Sequence, residues 1–258
     1  PLSLLNLHGF RSKHPQNRVE IIFEIGSMQQ FPKELITPMI GAAVTMLIAV
    51  WLIFASAAKR LTPSFVIGVA LSAWFTVALF LSYNGFFLKL SFWPLPNIGL
   101  MFVPIIIGIT LLAKSATFRT IVDTISQPWL IGVQTTRIMG AAFLTLYARG
   151  LMPAQFAIPS GIGDIMVGIT APLVALILFF NQTFGRTLAI TWNIIGFLEL
   201  TLAIVLGFFT SPTPYQLLAL SNPNNLLFDF PLALIPTFAV PLSLLLHIFS
   251  LRVLYKRV

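Results

Sequence analysis

Residues 187–209 read TLAITWNIIGFLELTLAIVLGFF, 23 residues in which Glu199 is the only charged side chain. A helix needs roughly 20 mostly apolar residues to cross a bilayer, so this run is long enough to span one. Its carboxylate falls near the middle, where an ionised group costs about 2.5 to 3.5 kcal/mol on insertion scales. The run therefore predicts a membrane helix, and Glu199 is a residue whose presence there needs a reason.

Six further runs meet the same criterion: Pro38 to Ala57, Phe65 to Tyr83, Pro94 to Ala113, Pro128 to Ala148, Gly161 to Phe180 and Phe230 to Leu251. The predicted fold is all-α, a polytopic integral membrane helix bundle with about seven transmembrane helices. Composition agrees, because 57% hydrophobic against 9% charged residues leaves too little charge to cover a soluble domain of this size. Connections are short and carry Pro, Asn and Gly. The longest, Thr210 to Asp229, holds a central YQLLAL that could lie along the interface. No internal repeat or linker divides the bundle. Residues 1–36 read as an extramembrane tail, of which 1–27, ending in Gly26-Ser27 ahead of Met28, read as a tag or upstream extension. Residues 37–258 read as the seven-helix domain.

The net charge of +8 predicts topology and no nucleic-acid partner, since the Lys and Arg sit singly between apolar runs and form no phosphate-binding face. One side of the predicted bundle carries eight: Lys59, Arg60, Lys114, Arg119, Arg186, Arg252, Lys256 and Arg257. The other carries Lys33, Lys89 and Arg149, with Arg11, Lys13 and Arg18 farther out in the tail. This bias puts the carboxyl terminus in the cytoplasm and the amino terminus outside, and the predicted location is a bacterial plasma (inner) membrane. The absence of cysteine removes disulfides, thiolate nucleophiles, Fe–S clusters and Cys-based zinc sites together.

Four spans hold an ionisable group: Arg137, Asp164, Glu199 and His247, with Gln134 and Asn193 as amides in the fourth and sixth spans. Counting about 1.5 Å per residue places Arg137 and Glu199 level, roughly 15 Å below the outer boundary, and Asp164 roughly 5 to 7 Å below it. A buried Arg137–Glu199 pair is the simplest arrangement, with Asp164 one or two turns above and able to share the guanidinium. Gly161, Asp164, Gly168 and Ala171 share one helical face, and Gly196, Glu199 and Ala203 share another. Gly161, Gly163, Gly168 and Gly196 are thus expected packing positions that let the polar helices approach. His247 is expected nearer the cytoplasmic end, packed or interfacial.

Gly161-Ile162-Gly163-Asp164 also resembles, over four residues, the Gly-x-Gly-Asp motif of intramembrane aspartyl proteases. That family implies two carboxylates sharing a water, one on an earlier helix. The only aspartate upstream of Asp164 is Asp123, in a loop on the opposite predicted side. A protease reading therefore lacks its second group. No rhomboid-like Ser–His pair, Schiff-base lysine in the seventh span, paired haem histidines, Walker loop or metal-ligand cluster is present in the sequence, so no catalytic residue, metal or cofactor is assigned. Two functions remain. One is a small-solute or proton-linked transport protein that uses the Arg137/Glu199/Asp164 network on a small-molecule or ion substrate. The other is a non-catalytic scaffold, assembly factor or accessory subunit for a membrane-protein partner, in which the same charges are structural.

Overall fold

A computed structural model describes residues 31–88 and 95–256. The predicted tail extension 1–27, together with Pro94, Lys89 and Arg257, lies outside the described residues. All regular structure among the described residues is helical. The helices are α1 (Lys33–Ala57), α2 (Leu61–Tyr83), α3 (Leu95–Lys114), α4 (Ala116–Thr124), α5 (Gln127–Gly132), α6 (Ala141–Ala148), α7 (Ala154–Phe180), α8 (Gln182–Thr210) and α9 (Val240–Lys256). A 3-10 segment, Val133–Gly140, joins α5 to α6, and a π turn, Ile235–Ala239, leads into α9.

Five of these elements are long and apolar enough to cross a membrane: α1, α2, α7, α8 and Ile235–Lys256. A sixth crossing results if Gly99–Lys114 and Ala116–Thr124 form one broken span, bent by 98°. The difference from the predicted seven lies at Pro128 to Ala148. That stretch is helical throughout but divided into α5, the 3-10 segment and α6, none of which is long enough to span alone. The cause is local. Thr135 and Thr136 turn their hydroxyls back onto the carbonyls of Gly132 (2.7 Å) and Val133 (3.0 Å), competing with the α-helical ladder at the polar centre of the run.

The central element is Ile235–Lys256, 72% of whose most apolar window is buried, against 17 to 33% for the other four spans. Its entry follows from its prolines. Pro241 has no N–H to give to the carbonyl four residues back, which is that of Thr237, and the indole Nε1 of Trp74 in α2 donates to this carbonyl instead at 3.0 Å. Around α9, one apolar cluster joins α1, α2 and α4, and a second joins α5, α7 and α8. The outward faces stay apolar. On α7, Met166, Leu173 and Phe180 are mostly exposed, a surface apolar enough to face lipid.

On the carboxyl-terminal side α4 folds back along the bundle. Arg119 donates to the free carbonyls of Leu112 and Ala113 at the end of α3, and Ser115 caps α4 through Phe118 N–H, so the bend has its own hydrogen bonds. Asp123 then accepts from Arg252 Nε (3.0 Å) and Nη2 (3.3 Å) and from Lys256 Nζ (2.6 Å), tying α4 to the end of α9. Burial acts upward on this carboxyl, but the hydrogen bonds and charges of Lys256 and Arg252 outweigh it and hold Asp123 below the usual carboxylate range.

With its folded pKa below the unfolded value of about 3.9, the latch contributes above that value and is lost as pH falls through the folded one. The cysteine-free chain allows spin labels at Thr120→Cys and Tyr255→Cys, both exposed positions. The distance between them is expected to hold from neutrality to about pH 5 and to lengthen only below about pH 4. A lengthening near neutrality would show that another group controls the contact.

Candidate functional site

Three helical segments bring the predicted charges together. The 3-10 segment delivers Arg137, α7 delivers Asp164 and α8 delivers Glu199. Glycines set how closely they cross. A Cβ added at Gly168 would lie 2.6 Å from the Ile138 backbone nitrogen, and one at Gly161 would lie 3.0 Å from the Gly140 carbonyl, so α7 meets the 3-10 segment backbone to backbone. At Gly163 an added Cβ would lie 2.5 Å from Glu199 Cγ, and at Gly196 it would lie 2.6 Å from the His247 ring. Each of the four glycines therefore leaves room for a member of the polar cluster or for the segment that carries Arg137.

Arg137 has about 5% of its side chain exposed and faces both carboxylates. Its Nε donates to Asp164 Oδ1 at 2.7 Å. Its Nη2 forms an ion pair with Glu199 Oε2. Nη1 points to the Gly196 carbonyl and to His247 Nε2, each at 3.5 Å. Glu199 Oε1 is buried with no hydrogen-bond donor among the described residues.

Asp164 thus joins the cluster directly, deeper than its predicted place one or two turns above it. Helix α7 starts at Ala154, behind Pro153, and runs through Pro159 without a break, seven residues before the predicted start at Gly161. Ten residues into the helix, Asp164 lies roughly 15 Å from its end, level with the other two.

His247 is also placed differently from its predicted position near the cytoplasmic end. The last span runs to Lys256, five residues past the predicted Leu251, which leaves His247 near its middle and fully buried. Asn193 determines its tautomer. The amide Nδ2 donates to the Ala189 carbonyl (2.7 Å) and Ser250 Oγ (3.0 Å), so Oδ1 accepts from His247 Nδ1–H at 2.9 Å. The network assigns the lone pair to Nε2, the atom that faces Arg137. Ser250 in turn donates to Gln127 Oε1 at 2.8 Å. Asn193 reaches Arg137 only through His247, and Gln134 does not reach it: its Nε2 donates to the Ser243 carbonyl at 3.2 Å.

Two cavities meet at Asp164. One of about 60 Å³ is bordered by Arg137, Thr136, Gly140 and Ser243, with Met39, Ala43 and Met46 of α1 opposite; it is roomy enough for a few waters. The other, about 310 Å³, follows α8 from Leu200 to Phe209, roughly 14 Å, toward the 211–234 segment. Among the described residues no group of three or more His, Cys, Asp or Glu is placed to hold a metal ion.

Residues 94–255, more than half of the 258-residue chain, match a family model described as Domain of unknown function (DUF8737). The matched span contains Gln134, Arg137, Asp164, Asn193, Glu199 and His247, and it leaves out α1 and α2. No curated protein and no solved structure matches the chain.

Proposed function

The chain belongs to the DUF8737 family, a family of unknown function, and on that premise we propose that it is a small-solute or proton-linked transport protein. In this reading it sits in a bacterial plasma membrane; the Lys and Arg bias favours an amino terminus outside and a carboxyl terminus in the cytoplasm, with α5, the 3-10 segment and α6 crossing together as one of seven spans. Its working site is the Arg137/Asp164/Glu199 cluster.

One observation carries the proposal: a single buried guanidinium faces two carboxylates, and one of them, Asp164, borders open space. With both carboxylates ionised the cluster holds one negative charge more than Arg137 can balance, since His247 presents a lone pair to it. An unbalanced charge at this depth is expensive, and one proton or one monovalent cation removes the imbalance. A site that gains and loses one positive charge, reached through a cavity, has the chemistry of coupled transport. The 3-10 segment gives Arg137 a backbone that can change its winding when that charge comes and goes.

The scaffold alternative draws on the near-complete pairing of Arg137. Proteoliposomes loaded with a pH-sensitive dye separate the two. The transport reading expects wild-type protein to pass protons under an imposed potential. Asp164→Asn and Glu199→Gln should each cut that flux at least tenfold in protein that still accumulates and melts normally. If those changes alter only protein level, and the wild type passes no protons, the charges are structural.

A further inference from the structure

The larger of the two cavities at Asp164 has an unusual lining for a space that borders a charge. Six phenylalanines border it, Phe102, Phe143, Phe156, Phe208, Phe209 and Phe228, contributed by α3, α6, α7, α8 and the 211–234 segment, and Asp164 is the one charged residue of its lining. Phe143 and Phe156 meet edge to face at 5.1 Å, as do Phe208 and Phe209 at 5.3 Å, so the walls are built of rings in mixed orientation. Aromatic faces carry negative potential and attract cations, most strongly where water is excluded. Solvating apolar tails needs no phenylalanine in particular, and an anion would meet both the ring faces and the excess negative charge of the cluster. The space, about 310 Å³, is within the range of small-molecule sites.

We infer that this phenylalanine-lined cavity binds a lipophilic monovalent organic cation, its charge set against Asp164 and its apolar body against the rings. The inference rests on the transport reading and names the substrate class of that same site. The exchange balances: one cation enters, one proton leaves the Asp164/Glu199 carboxylates, and the cluster returns to neutrality. No bond other than that O–H is broken.

The test uses the full chain in nanodiscs with two ions of one shape and opposite charge, tetraphenylphosphonium and tetraphenylborate. Only saturable binding above that of empty nanodiscs is counted. Wild-type protein is expected to bind the phosphonium at least tenfold more tightly than the borate and to release about one proton per cation bound. Phe209→Leu, which keeps an apolar side chain and removes the ring, is expected to weaken phosphonium binding severalfold without changing the melting temperature. Asp164→Asn, where it folds, is expected to erase the preference.

Equal binding of the two ions by the wild type, or a preference for the borate, overturns the inference. Because that comparison uses unaltered protein, misfolding cannot confuse it. Absent cation preference together with proton flux that depends on Asp164 removes the substrate class and leaves the transport reading standing. A clear cation preference without proton efflux from proteoliposomes when the phosphonium is added outside supports the site and removes transport.

Discussion

Arg137→Met is expected to cost the fold about 3 to 5 kcal/mol, because it leaves two carboxylates facing each other without their shared partner. Membrane domains have little stability to lose, so a change of this size should remove most of the protein from the membrane. The cause is electrostatic rather than steric, since methionine fills much of the arginine stem's volume. Neutralising the carboxylates in the same chain should therefore reverse the loss. The triple variant Arg137→Met/Asp164→Asn/Glu199→Gln is expected to accumulate at close to the wild-type level, because replacing a whole buried charge set by neutral groups is often neutral or stabilising by about 1 to 4 kcal/mol. Quantifying folded protein by fluorescence-detected size exclusion checks both. A triple variant no more abundant than Arg137→Met would show that Arg137 acts through some contact other than these two carboxylates.

The second large effect is expected at the crossing of α7 with the 3-10 segment. In Gly168→Ala the new methyl would lie 2.6 Å from the Ile138 nitrogen and 3.1 Å from the Arg137 carbonyl carbon, both backbone atoms that cannot rotate away. The segments must separate, at about 1 to 3 kcal/mol or more, and Arg137 moves with its backbone. Gly140→Ala meets the Asp164 side chain and the Gly161 carbonyl and should act alike. Gly41→Ala is the matched control, since nothing lies within 4 Å of an added Cβ there, and alanine in place of glycine in a helix should stabilise by up to about 1 kcal/mol. Thermal melts of the three purified proteins give the comparison. Equal melting temperatures would mean that the close crossing is not needed for stability.

Much of the bundle is legible in the sequence because apolar run length is a one-dimensional property. The runs at 38–57, 65–83, 161–180 and 187–209 each fall within an observed helix, and that at 230–251 covers a turn, the π turn and most of α9. What is not legible depends on choices between competing local bonds. Thr135 and Thr136 read as polar residues of a spanning helix, yet their hydroxyls help to wind it into a 3-10 segment. The run predicted from Gly161, just after Pro159, belongs to a helix that Pro153 begins instead, an ambiguity inherent in proline, which suits a first turn and also occurs inside membrane helices.

The charged members of the candidate site are visible one by one, because any ionisable group inside an apolar run stands out. Their partners are less so. Arg137 with Glu199 follows from equal depth, and Asp164 is displaced only by the error in where α7 starts. His247 is missed as a neighbour of Arg137 for the same kind of reason, a helix end shifted by five residues. The Asn193–Ser250–Gln127 chain leaves no trace in spacing, since it joins three helices through ordinary polar residues.

Whether the cluster works or merely holds the helices together is tested most directly by proton flux through the triple variant Arg137→Met/Asp164→Asn/Glu199→Gln in proteoliposomes, at equal amounts of folded protein. A working site predicts a well-folded protein with no flux above empty vesicles, beside a wild type that conducts. Flux in the triple variant equal to that of the wild type, or none in either, would contradict it.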